Sequence, residues 1–247
     1  MVTTTPYDRG APGGTLCGTA TVGSIMPSSP TALVLSGSGR YADPWHPFPR
    51  TTPLLAAALA DAGFDTVISD DVDGGMARLD GVDLLVVNAG DPWSDDERTT
   101  TAPEASVLGL SPALDRGMGV LAMHCAVASL RDYPAWAPAI GGMWVPNASW
   151  HPEIGDIDIA AGELPDGTTL TDFTVFDERY CRLQQFGDRT VVATHETDGE
   201  RMPAAWVRTY GPARVAVDTL GHDERSYDSA GHRRLIGMLA RWAAGTA

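Results

Sequence analysis

The segment Gly119-Val-Leu-Ala-Met-His-Cys-Ala-Val-Ala-Ser129 constrains this chain more than any other. Val120 to Met123 is a short apolar run of the kind that forms a buried strand. Cys125 to Leu130 reads as the first turn or two of a helix. No residues remain between them for a relaxed loop, so His124 must sit on a sharp strand-to-helix elbow. Such an elbow lifts one side chain above the carboxyl edge of a parallel sheet, where open α/β folds keep their sites.

The segments before the elbow set the fold class. Ala32 to Ser36 is a first central strand, closed by Gly37-Ser-Gly39 in a loop that runs on through Trp45-His46-Pro47. Thr52 is placed to cap a helix with Pro53 at its first position. Leu54, Leu55, Ala58, Leu59 and Ala62 form that helix's apolar face, and Gly63 stops it. Phe64 to Ser69 is a second strand. Asp83 to Asn88 is a third, nearly all apolar, as expected when both faces of a sheet are covered. Residues 92–102 read as a polar surface loop, and Glu104 to Arg116 as a helix interrupted by Gly109 and Pro112. Strands alternating with helices call for a parallel sheet with right-handed crossovers.

After Arg131 the pattern changes. Pro134 and Pro138 keep any helix over Tyr133–Ile140 short. Short strands follow at Ile154–Ala160, Phe173–Phe176, Thr190–Thr194, Ala204–Thr209 and Arg214–Thr219. A last helix spans Ser229–Ala244, with Leu235, Met238, Leu239 and Trp242 on one face. The expectation is an α/β sandwich with a mostly parallel central sheet and β-rich additions in the second half. It forms one domain over residues 31–247. Residues 1–30 have few large apolar groups and read as a flexible leader, or an arm that orders against a partner.

Charge narrows the partners. With 32 acidic and 17 basic residues the net charge is -15, which argues against nucleic acid, whose binding needs a basic surface. No apolar run approaches the roughly 18 residues of a spanning helix, and no secretory signal is evident, so a soluble cytoplasmic protein with no membrane partner is expected. Cys17, Cys125 and Cys181 are odd in number and widely spaced, and give no disulfide framework.

The chain has six histidines. His46 follows the first strand, His124 marks the elbow, His151 precedes a strand and His222 follows one. A parallel sheet brings the first two to one edge, and the others can fold over it. Imidazole serves general acid–base work near neutral pH and also ligates metals. His195 and His232 read as surface residues. Asp177 and Glu178 follow a strand, so one carboxylate can face a cleft while its neighbour faces away. Asp223 stands beside His222. Cys125 is expected to be buried rather than nucleophilic. Its backbone N–H, at a helix N-terminus, would suit an oxyanion.

Five pieces together resemble the ThuA-like, trehalose-utilisation family of the class I glutamine amidotransferase-like superfamily. They are Trp45-His-Pro-Phe48, Gly119-Val-Leu-Ala-Met-His124, Ile140-Gly-Gly-Met-Trp144, Asp177-Glu-Arg-Tyr180 and Leu220-Gly-His-Asp223. The resemblance runs from about Ala32 to Gly245. It implies a flavodoxin-like three-layer sandwich and a carbohydrate-related small-molecule ligand. Amidotransferase relatives carry G-x-C-x-G at the elbow. Here Ala122-Met-His-Cys-Ala126 puts histidine there without the flanking glycines, so glutamine hydrolysis is not expected. Family members often have a histidine near the Asp-Glu-x-Tyr piece, where Cys181 stands here. Residues 91–112 look like an insertion or a divergent loop.

The leading expectation is an enzyme acting on a sugar or keto-sugar derivative. His124 and His222 are its proton-transfer pair. Glu178, Asp177 and Asp223 polarise that pair or hold sugar hydroxyls, and His46 and His151 line the pocket. Trp45, Trp144 and Trp150 stack on a sugar face. A second version makes His46, His124, His151, Glu178 and His222 candidate ligands of a divalent metal such as zinc, although no HExxH or other short metal spacing points to one. A third is a non-catalytic sugar-binding or assembly protein that kept the fold. A homo-oligomer is compatible with each.

Overall fold

The computed structural model describes residues 1–3, 29–93 and 101–246. The expected leader, apart from its ends, lies outside those residues. So do most of the loop expected over 92–102, and Cys17. The chain runs β1 (Thr31–Ser36), α1 (Phe48–Asp61), β2 (Asp65–Ser69), α2 (Val72–Met76), β3 (Leu84–Asn88), α3 (Glu104–Asp115) and β4 (Gly119–Met123). It continues through α4 (Trp136–Ile140), β5 (Gly142–Met143), β6 (Gly155–Ala161), β7 (Phe173–Asp177) and β8 (Gln184–Gln185). The last elements are β9 (Thr190–Thr197), β10 (Glu200–Tyr210), β11 (Ala213–Asp218) and α5 (Ala230–Ala244).

Nine strands form one sheet in the order β2-β1-β3-β4-β11-β10-β9-β6-β7. The first five are mutually parallel, and the rest extend the sheet antiparallel. This is the expected flavodoxin-like α/β arrangement with β-rich additions in the second half. The central strands separate two apolar layers because their side chains alternate. Ala32 and Val34 of β1, Leu84 and Val86 of β3 and Leu121 and Met123 of β4 pack toward α1 and α5. Leu33 and Leu35, Leu85 and Val87, and Val120 and Ala122 pack on the opposite side, toward α2, α3 and α4. Near-continuous apolar runs were therefore the right signature for strands covered on both faces. No helix among the described residues is long and apolar enough to cross a membrane.

Several local expectations are corrected. α1 starts at Phe48, with Pro49 in its first positions, so Thr52 lies inside the helix rather than capping it. The Thr52 hydroxyl instead donates to Ser36 Oγ at 2.9 Å and accepts from Asn88 Nδ2 at 3.0 Å, tying the helix to the ends of β1 and β3. Leu54 is exposed, because Leu55, Ala56, Ala58 and Leu59 form the buried stripe. Gly109 and Pro112 do not interrupt α3. A Cβ on Gly109 would lie 2.4 Å from the Met76 carbonyl, so this glycine lets α2 approach α3. After the elbow there is no α-helical start but a single 3₁₀ turn over His124–Val127. The extended helix N-terminus expected at the Cys125 N–H is therefore absent.

Candidate active site

The five parallel strands end on one edge, and the site is built there. The register of β4 against β11 pairs Met123 with Asp218, so the next residues, His124 and Thr219, stand side by side. His124 takes a φ of 41°, a left-handed conformation uncommon for a non-glycine residue. That turn places the ring so that Nδ1 lies 2.7 Å from the Thr219 carbonyl oxygen. A carbonyl only accepts, so Nδ1 carries the hydrogen and the neutral ring keeps its lone pair on Nε2.

His46 arrives from the loop after β1. The Asp43 carboxylate accepts from the backbone N–H of Trp45 at 3.0 Å and of His46 at 2.8 Å. The same carboxylate lies 2.8 Å from His46 Nδ1 through each of its oxygens. This ring, too, is held with its lone pair on Nε2. His222 follows β11 in a turn made by Gly221, whose φ of 118° excludes ordinary side chains. The ring centroids of His46, His124 and His222 lie 4.8–5.5 Å from one another.

Glu178 completes the cluster from the end of β7. Its Oε2 is 3.5 Å from His124 Nε2 and 3.2 Å from His222 Nδ1, and its Oε1 is 3.5 Å from His151 Nδ1. Burial alone would raise the Glu178 carboxyl, but the imidazoles of His124 and His222 outweigh it and hold the group well below the usual carboxylate range. For His124, burial opposes the charged form, yet the Glu178 and Asp177 carboxylates raise the ring above its ordinary value. His46 goes the other way: burial, aided by the neighbouring imidazoles, outweighs Asp43 and lowers it. One donor atom from each of His46, His124, Glu178 and His222 lies within 4.8 Å of the others.

Three of these residues, His46, Glu178 and His222, sit on a cavity of about 500 Å³ that Trp45, Trp144, His151 and Tyr180 also line. His124, expected as a proton-transfer residue, is 1% exposed and lies behind that lining rather than in it. A wider surface groove of about 620 Å³ along β6, β7 and β9 holds none of the four converging residues. Tyr180 stacks on His124 with ring centroids 4.3 Å apart. Its hydroxyl is 3.5 Å from the buried Cys125 sulfur, and burial pushes that thiol up, which disfavours the thiolate.

Not every expected residue faces the cavity. Asp223 caps the 3₁₀ turn that follows it, pairs with Arg225 and does not line the cavity. Trp150 bridges to Cys181 and does not line the pocket. Asp177 is fully buried and turned away from the cavity. It accepts from the Gly221, His222 and Glu178 N–H groups at 2.7, 3.1 and 2.8 Å, and from the Ser226 hydroxyl. Asp177 thus positions the two loops that carry His222 and Glu178.

His195 and His232, expected on the surface, are buried. His195 Nδ1 bonds Thr197 Oγ1 and its Nε2 bonds the Tyr180 carbonyl, both at 3.1 Å, fixing the segment next to Glu178. His232 Nε2 lies 3.1 Å from Asp218 Oδ2, and its Nδ1 lies 2.9 Å from Ser226 Oγ. A chain of contacts therefore runs Asp218–His232–Ser226–Asp177 behind the site. Sequence reasoning also missed Asp43. Its spacing from His46 in Asp43-Pro-Trp-His46, an Asx-turn pattern, was the available signal.

A family model described as ThuA, trehalose utilisation, matches residues 31–243. Among solved structures, a ThuA-like protein from Parabacteroides merdae superposes with a TM-score of 0.71 at 17% identity, covering 90% of this chain and 92% of that one. A ThuA-like protein from Bacteroides uniformis gives 0.65 at 14% identity, over 90% of this chain and 95% of that one. A β-galactosidase from Halorubrum lacusprofundi gives 0.55 at 13% identity, over 92% of this chain but 32% of its own. At these identities the likeness is one of fold. No curated protein matches the sequence.

Proposed function

The chain belongs to the ThuA, trehalose-utilisation family, which is carbohydrate-related, and from that premise we propose that it is an enzyme acting on a sugar or keto-sugar derivative. One observation carries this reading: three imidazoles lie 3.2–3.5 Å from the two oxygens of one carboxylate, Glu178, and two of them, His151 and His222, line with it a cavity with aromatic walls. Imidazoles around a carboxylate are the equipment of proton transfer. On a keto-sugar, a ring nitrogen takes the proton from the carbon beside the carbonyl, and the electron pair left behind moves onto the carbonyl oxygen. Trp45, Trp144 and Tyr180 suit the C–H faces of a sugar, while Asp43, Glu178 and the imidazoles suit its hydroxyls.

Composition removes one rival, and the cavity's lining disfavours another. All 17 basic residues are arginine, so no lysine can form a Schiff base with a keto group. Among the described residues no arginine lines the cavity. The nearby Arg131 is engaged by Asp91 and the Trp144 carbonyl, so a phosphorylated sugar would find no free cation among these groups. The test is turnover of a panel of glycosides and 3-keto-glycosides by the full chain and by His124→Ala. Loss of at least 100-fold for one class is expected in the variant. Unchanged turnover removes the reading, and tight binding with every sugar recovered intact makes this a sugar-binding protein instead.

A further inference from the structure

We infer that His46, His124, His222 and Glu178 bind a divalent transition-metal ion, with His151 outside the ligand set. The inference rests on the sugar-enzyme reading only for the use of the ion, not for its binding.

The first ground is orientation. Asp43 holds the hydrogen of His46 on Nδ1, and the Thr219 carbonyl holds that of His124 on Nδ1. In its neutral form each ring therefore presents its Nε2 lone pair to the cluster. A carboxylate or a backbone carbonyl behind an imidazole is the usual arrangement around metal-ligating histidines, where it fixes tautomer and ring orientation.

The second ground is what those lone pairs meet. His46 Nε2, His124 Nε2 and His222 Nδ1 are buried and without a hydrogen-bond partner among the described residues. Buried polar atoms almost always have partners, and three orphans converging on one place call for a ligand. Protons alone do not satisfy all three. His222 Nδ1 can carry the hydrogen of a neutral ring, but His46 and His124 already hold theirs on Nδ1. Protonating both at Nε2 makes two imidazolium rings with centroids 5.0 Å apart, which repel one another.

The third ground is spacing. Glu178 Oε2 lies 3.5 Å from His124 Nε2 and 3.2 Å from His222 Nδ1, without hydrogen-bond geometry at either nitrogen. Neighbouring ligands on a tetrahedral ion with bonds of 2.0–2.1 Å stand about 3.4 Å apart. Three imidazole nitrogens and one carboxylate oxygen suit zinc and its first-row neighbours, whereas magnesium and calcium favour oxygen donors.

His151 differs in each respect. Its Nδ1 hydrogen goes to the Pro152 carbonyl at 2.9 Å, and its side chain is 40% exposed. A bound ion of this class polarises a carbonyl or hydroxyl oxygen. With the other three lone pairs committed, His151 is the imidazole left in this cavity to move a proton.

The full chain, purified without chelator or histidine tag, is analysed for metals. It is then stripped and titrated with Zn²⁺ and Co²⁺ while the visible Co²⁺ bands are recorded. About one equivalent per chain is expected, with bands of a four- or five-coordinate ion. Glu178→Gln, close to isosteric, should weaken binding at least 100-fold, and Asp43→Asn by 10- to 100-fold. His151→Ala should keep full metal while losing turnover. Circular dichroism separates these effects from unfolding. A folded stripped protein that takes up neither ion at micromolar concentration overturns the inference, as does loss of metal in His151→Ala equal to that in Glu178→Gln. Metal binding without sugar turnover defeats only the sugar reading, and turnover by fully stripped protein defeats only the use of the ion in that turnover.

Discussion

The Nδ1 nitrogen of His124 lies 2.7 Å from the carbonyl oxygen of Thr219, 95 positions away in the chain. Two parallel strands in register make this contact, and it decides what the ring can do. The hydrogen is fixed on the strand side, so the other nitrogen faces Glu178. The backbone bears a cost for this placement, since φ at His124 is 41°.

That cost is measurable. His124→Gly and His124→Ala both remove the ring, but only alanine keeps the left-handed strain. The glycine variant should be the more stable by about 1 kcal/mol, read by urea unfolding. Equal stabilities would mean the elbow is not strained in solution.

Asp177 should matter without touching a ligand. Its removal as Asp177→Ala leaves the Gly221, His222 and Ser226 donors unpaired in the interior. A loss of about 3 kcal/mol is expected, together with loss of turnover from displaced His222 and Glu178. Asp223→Ala, on a partly exposed cap, should cost under about 1 kcal/mol and leave turnover within a few-fold. If both variants behave alike, Asp177 is not the organising carboxylate.

His232 sets a pH dependence. Burial opposes its charge, but Asp218 outweighs burial and raises the ring above its ordinary value. Folding therefore favours the protonated ring. This stabilisation is complete below the unfolded value of about 6.5 and is lost as pH rises through the folded value. The destabilisation caused by His232→Gln, followed by thermal unfolding from acid to alkaline pH, should be largest on the acid side and shrink on the alkaline side. A penalty that grows with pH would reverse the assigned charge.

Trp45 tests the cavity as a sugar site. It lies at the cavity and is 68% exposed, so Trp45→Ala should leave the melting temperature nearly unchanged. Loss of an aromatic face worth about 1 kcal/mol should raise KM roughly fivefold, with less effect on kcat. An unaltered KM would remove Trp45 from the binding surface.

Much of this was written locally. The strands β1, β3 and β4 are apolar enough to be legible as buried, and parallel pairing then forces the residues after β1 and β4 to one edge. His46 and His124 could be placed together on that ground alone. His195 and His232 could not be placed at all. Each lies in a polar stretch, and their partners Tyr180 and Asp218 are 15 and 14 residues distant. Asp177 and Asp223 flank the same site in sequence and look equally fit. Only the fold shows that one is sealed behind Gly221 while the other faces Arg225.

By itself, then, the sequence determined the layered α/β frame, the elbow and the edge where chemistry could gather, because burial periodicity and turn residues act over a few positions. The tertiary structure alone decided which imidazoles converge, which nitrogen each turns inward and which carboxylate meets them. Those outcomes depend on hydrogen bonds between segments far apart in the chain, such as His124 with Thr219 and Asp177 with His222. No local pattern encodes the partner at the other end.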